Sequence, residues 1–145
     1  MKFDPVGNKK LGHAEIECSH KSKYPKMEVH KLLKDGEGKN NMWCVAEMES
    51  AVTITLPPKT PSIGGIGFKS ATILDTGDPL QVIIMAEEQG KWFNYGTHPL
   101  NWKHRRADTI KVDLIRPMTG KKICFVFKND IPCIMVSQIR FDKAK

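Results

Sequence analysis

I-C-F-V-F-K-N-D-I-P-C-I-M-V-S-Q-I-R-F, residues 123–141, is two runs of branched and aromatic residues around a short polar break. In I-C-F-V-F (Ile123–Phe127) the bulky side chains fall on every second position. That period of two marks a strand with one buried face. Lys128–Pro132 reads as a hairpin or crossover turn, because proline cannot join a central ladder and Asn and Asp favour turns. The second run, Cys133–Phe141, resumes the strand character. The same pattern recurs upstream in V-T-I-T-L (Val52–Leu56), G-I-G-F (Gly65–Phe68), L-Q-V-I-I-M (Leu80–Met85) and I-K-V-D-L (Ile110–Leu114).

Proline and glycine punctuate these runs. P-P-K-T-P-S (Pro57–Ser62) is a rigid connection, and D-T-G-D-P (Asp75–Pro79), E-E-Q-G-K (Glu87–Lys91) and R-P-M-T-G-K-K (Arg116–Lys122) are turns. Three glycines within Ile63–Ala71 predict a bulge or a tight approach between chain segments. A short first strand is expected near His13–Cys18, and one or two helical turns in Met27–Lys34 with Met27, Leu32 and Leu33 inward. Residues 1–12 read as a loose or edge-pinned arm, and 13–145 as one domain. Eight or so strands between such turns predict an all-β, antiparallel β-sandwich of the jelly-roll kind. Its expected core is Val52, Ile54, Leu56, Ile66, Phe68, Val82, Ile84, Val112, Leu114, Ile123, Phe125, Phe127, Ile134, Val136 and Ile139.

Bulk properties narrow the function classes. A chain of 145 residues buries roughly 70% of its unfolded surface and needs no staple. Its apolar runs fall far short of the roughly 20 residues that cross a bilayer. The N-terminus M-K-F-D-P-V-G-N-K-K has no apolar h-region, so no secretory signal is expected, and an intracellular place is. The formal net charge of +7 favours acidic partners, although scattered lysines also serve solubility. Cys18, Cys44, Cys124 and Cys133 include no C-x-x-C pair and no finger spacing to histidine, so zinc is not expected. Free thiols are expected, with Cys18–Cys133 the pair that forms if the first and last strands adjoin.

No catalytic constellation is legible. The five histidines make no metal or catalytic motif, the serines lack a nucleophile elbow, and Gly64–Gly67 opens no helix. No cofactor or metal is assigned, and an enzyme is not expected. The best binding candidate is Trp92-Phe93-Asn94-Tyr95 through Trp102-Lys103-His104-Arg105-Arg106, aromatic and then basic. Aromatic faces stack on bases or sugars, and Arg and Lys hold phosphates or carboxylates. Lys21, Lys23 and Tyr24 form a second basic loop after the first strand. The competing reading is that the tryptophans pack under a long loop while the charges face water.

The order of these pieces resembles the discoidin family, the coagulation-factor type C or galactose-binding-like jelly roll. Cys18-Ser19 ends the first strand, Leu32-Leu33-Lys34-Asp35-Gly36 follows, and then Trp43. Val52–Leu56, Ile63–Phe68, Val82–Trp92 and Val136–Phe141 continue the order. The opening is similar to intracellular members, namely the N-terminal domain of the X-ray-repair cross-complementing scaffold and Doc domains. The resemblance implies ligand binding by loops at one end of the sandwich, without catalysis. Some such domains hold calcium; the acidic turns at Asp35, Glu37, Asp75 and Asp78 are read here as ordinary turns. The expected function is a binding module of an intracellular assembly, of DNA-repair or ubiquitin-ligation type, for a protein partner or an anionic polymer such as nucleic acid. Two alternatives stand beside it: a carbohydrate-binding module or lectin stacking a sugar on Trp92, Tyr95 or Trp102, and a viral or phage structural jelly-roll subunit.

Overall fold

In the computed structural model, the described residues are 5–6, 14–24, 27–34, 41–71, 75–102, 109–120 and 122–144. They form ten strands: β1 (Pro5–Val6), β2 (Glu15–Cys18), β3 (Trp43–Val45), β4 (Glu49–Thr55), β5 (Ile63–Ser70), β6 (Gln81–Glu88), β7 (Lys91–Pro99), β8 (Thr109–Met118), β9 (Lys122–Lys128) and β10 (Ile134–Lys143). Two short 3-10 turns, Val29–Leu33 and Asp75–Gly77, complete the described elements. One antiparallel sheet runs β2-β4-β9-β6-β7. The other runs β1-β10-β5-β8, with β3 also on β10.

The alternation read in the sequence fixes which face each strand buries. β4 buries Val52 and Ile54, β6 buries Val82, Ile84 and Ala86, and β9 buries Ile123, Phe125 and Phe127. Across the gap, Phe68 of β5 meets Phe125 and Phe127 edge-on, with centroids 5.7 Å away in each case. Trp43 tilts against Phe127 at 5.5 Å. Edge-to-face pairs use the opposed charge of ring rim and ring face, so they lock two sheets more directionally than aliphatic contact does. Every expected core residue is buried except Leu114, which is half-buried against the cluster. The glycine-rich strand carries a register shift between Ile63 and Gly65. There a Cβ on Gly64 would lie 2.9 Å from the Ala144 Cα, so only glycine allows the two backbones to pass.

Two sequence readings change, and the conditional Cys18–Cys133 pair does not arise. Lys91–Pro99 is a nine-residue strand, not the start of a long loop. β8 continues through Pro117 to Met118, because it is an edge strand and an edge tolerates a missing N–H. Cys18 and Cys133 do not adjoin: β2 and β10 belong to different sheets, Cys18 Sγ lies 3.3 Å from Ser50 Oγ, and all four thiols are free. No helix among the described residues is long and apolar enough to cross a membrane.

Register decides which connections share an end. The chain leaves one end of the sandwich after Cys18, Val45, Ser70, Pro99 and Lys128. It leaves the other after Thr55, Glu88 and Met118. We call the first the loop-rich end.

Candidate functional site

The described residues of the loop after β2 are tied down at several points. Ser19 N–H donates to Ala51 O (2.9 Å), Lys23 N–H to Cys44 O (2.9 Å), and Met27 N–H to Tyr24 O (3.0 Å). These bonds pin it to β3 and β4 and hold it open over an open cleft of about 850 Å³. Ile16 and Val29 give the cleft an apolar floor, while His20, Lys21, Lys23 and Glu28 supply polar groups. Tyr24 stands at its edge with half its surface free (51%), its ring beneath the Lys23 ammonium at 5.6 Å. An exposed aromatic face ringed by donors and acceptors suits a ligand with both apolar and hydroxyl surfaces.

His20 is the most constrained polar group there. Its Nδ1 lies 3.0 Å from Ser19 Oγ and 3.1 Å from Ser50 Oγ, and its Nε2 lies 3.9 Å from Glu47 Oε1. Serine, histidine and carboxylate in this order invite a catalytic reading, but Ser50 is buried and its hydroxyl is shared among Cys18, Ser19 and His20. It braces the imidazole and has no open path to a substrate. Glu28 in turn engages His30 Nδ1 at 3.2 Å. His20, Ser50, Glu47 and Glu28 were not singled out from the sequence; His20 stood beside the basic loop, but nothing local links it to Ser50.

The sequence candidates separate in space. Lys21, Lys23 and Tyr24 lie together in the cleft. Lys103, His104, Arg105 and Arg106 fall outside the described residues. Trp102 is at the loop-rich end but buried, and its indole N–H donates to Pro79 O at 2.9 Å. Tyr95 is 1% exposed, so its face offers no stacking surface. Trp92 is 48% exposed but sits beside the hairpin turn Gln89-Gly90, the whole length of β7 away from Trp102. A strand that crosses the molecule puts its two tryptophans at opposite ends.

Tyr95 belongs to a strut between the two edge strands. Its hydroxyl donates to Glu88 Oε1. Arg116 of β8 bonds Glu88 Oε2 at 3.1 Å and stacks over the rings of Phe93 and Tyr95, at 5.3 and 4.8 Å. Burial first, then the Glu88 hydrogen bond, pushes the Tyr95 phenol up to about 12. At the acidic turns, Asp78 Oδ1 is taken by the Ser70 hydroxyl at 2.5 Å, and among the described residues no three His, Cys, Asp or Glu converge. Asp35 and Glu37 lie outside the described residues.

No family model matches the sequence, and no curated protein matches it. Solved structures do match in shape. The F5/8 type C domain of a Bacteroides fragilis protein superposes with a TM-score of 0.81 at 15% identity, covering 99% of this chain and 97% of that one. This is a discoidin-like, galactose-binding-like fold. The family 32 carbohydrate-binding module of Clostridium perfringens NanJ, solved with galactose, superposes with a TM-score of 0.75 at 10% identity, over 95% and 97% of the two chains. The family 32 module of Streptococcus pneumoniae EndoD gives 0.73 at 13% identity, over 93% and 99%. These neighbours correct the expected function. The expected protein- or polyanion-binding module of an intracellular repair or ubiquitin-ligation assembly has no counterpart among these neighbours, several of which are carbohydrate-binding modules; at such low identity the likeness itself shows the fold alone.

Proposed function

We propose that this chain is a non-catalytic carbohydrate-binding module that takes a sugar in the cleft beside Tyr24. The observation that carries the reading is the exposed Tyr24 face at a preorganised polar cleft, on a fold shared with galactose-binding modules. A pyranose ring has an apolar face of C–H groups and an equator of hydroxyls. The C–H face stacks on Tyr24, and the hydroxyls bond to Lys21, His20 and Glu28 around it. Fixing the loop before binding lowers the ordering cost that otherwise weakens small-ligand affinity.

Galactose and N-acetylgalactosamine are the first probes, because matched modules were solved with those sugars. Isothermal titration with both, and a glycan array for longer chains, tests the reading. Saturable binding that Tyr24→Ala abolishes is expected. An array without hits, or binding that survives Tyr24→Ala unchanged, overturns it.

A further inference from the structure

The charges around the cleft beside Tyr24 narrow its ligand. Lys23 and Met27 are fastened to one residue of β3: Lys23 N–H donates to Cys44 O at 2.9 Å, and Cys44 N–H donates to Met27 O at 3.2 Å. The anchor under that clamp is apolar, since Met27 and Cys44 pack in a cluster with Met42, Ala71, Cys133 and Met135. Tyr24 stands between the two fastened residues, with Lys21 and Lys23 beside it in the cleft wall. The Lys23 ammonium lies 5.6 Å from the Tyr24 ring centroid, within reach of a group projecting from a sugar stacked on that ring.

The other charges of the cleft are engaged or turned away. Glu28 meets His30 Nδ1 at 3.2 Å, and His20 Nε2 lies 3.9 Å from Glu47 Oε1. Ile16 pairs with the buried Ile54 and so faces inward, while Glu17 pairs with Thr53. Successive side chains of a strand point to opposite sides, so the Glu17 carboxylate leaves from the far side of β2. Among the described residues neither Lys21 nor Lys23 makes an ion pair. A cation left without a carboxylate at the rim of a binding cleft favours an anion on the ligand, and a charge-assisted N–H···O bond is about twice as strong as a neutral one. We propose that the saccharide taken by this cleft is acidic: its ring stacks on Tyr24, and an anionic group on its exocyclic carbon is held by Lys23 and Lys21. A lysine ammonium is a compact point charge that demands no planar partner, so a carboxylate and a sulfate satisfy it alike. The inference rests on the sugar-binding reading of the same cleft and specifies its ligand.

The test compares galactose, galacturonate and galactose 6-sulfate, which differ only at the exocyclic carbon, by isothermal titration at about 20 mM and about 500 mM salt. At low salt at least one acidic sugar is expected to bind about tenfold tighter than galactose. A gain for galacturonate alone identifies a carboxylate ligand, and a gain for the 6-sulfate alone a sulfated one. The preference is expected to shrink at high salt, where exposed charges are screened. Lys21→Gln with Lys23→Gln is expected to bring the ratio of acidic to neutral affinity close to one. Lys122→Gln, which removes a positive charge at the opposite end of the sandwich, is expected to leave that ratio as it is. Galactose binding with neither acidic sugar tighter overturns this inference and leaves the sugar reading standing, and so does an acidic preference that survives the double variant. Binding of none of the three sugars overturns both.

Discussion

At the scale of single residues, three aromatics of similar composition do different work because of where they sit. Tyr24 is exposed on a pinned loop, Tyr95 is buried in a strut, and Trp102 is buried with its N–H spent on Pro79. Tyr24→Ala is expected to weaken sugar binding by at least about tenfold, or ~1.4 kcal/mol. Its urea midpoint should stay native, since a free surface side chain contributes within about 0.5 kcal/mol. Tyr95 makes a pH prediction. Its phenol is held near 12 in the folded chain against an ordinary 10, so above pH 10 the unfolded chain loses the proton that the folded chain keeps. Stability from this group is full below pH 10 and is lost as the pH rises towards about 12. Urea melts across that window should fall less steeply for Tyr95→Phe than for the native chain. Phenolate absorbance gives the independent check.

At the scale of elements, the strands were legible and their neighbours were not. Val52, Ile54 and the Ile123–Phe127 run announce their faces by alternation, because a pleated strand must send successive side chains to opposite sides. The later residues of β7, Thr97 and His98 among them, lack an apolar period. It is an edge strand and buries almost nothing beyond Tyr95, so its sequence carries little trace of its structure. What holds β7 to β8 is the Glu88–Arg116–Tyr95 strut. Arg116→Lys keeps the charge but loses the flat face that stacks on Phe93 and Tyr95. With Arg116 half-exposed, a loss of ~1 kcal/mol is expected by chemical denaturation, and no loss would mean the strut is idle. Phe68→Ala, by contrast, removes the ring wedged between Phe125 and Phe127 and is expected to cost ~3–5 kcal/mol.

At the scale of the whole molecule, the sandwich separates the exposed aromatics among the described residues, Tyr24 from Trp92 and Phe93. Tyr24 belongs to the loop-rich end and Trp92 to the opposite end, so the proposed sugar site is expected to be single. Titration should give one sugar per chain, and Trp92→Ala should leave affinity unchanged while Tyr24→Ala removes it. A second equivalent of sugar lost with Trp92→Ala would show that both ends bind. The basic loop Lys21–Tyr24 was readable as a candidate because charge and aromaticity are local properties. The cleft was not, because Glu28 and Val29 reach it from another segment, and Ser50 and Glu47 meet its His20 from elsewhere in the chain.

The sequence by itself determined which stretches become strands, which side chains face inward, and that an antiparallel β-sandwich results. Those are consequences of period and turn chemistry, which act over a few residues. The tertiary structure alone decided that Trp92 and Trp102 stand at opposite ends, that Cys133 shares an apolar cluster with Cys44 and not with Cys18, and that His20 is braced by Ser50. Such pairings depend on which strands lie side by side and in what register, and that is set by the packing of the whole chain.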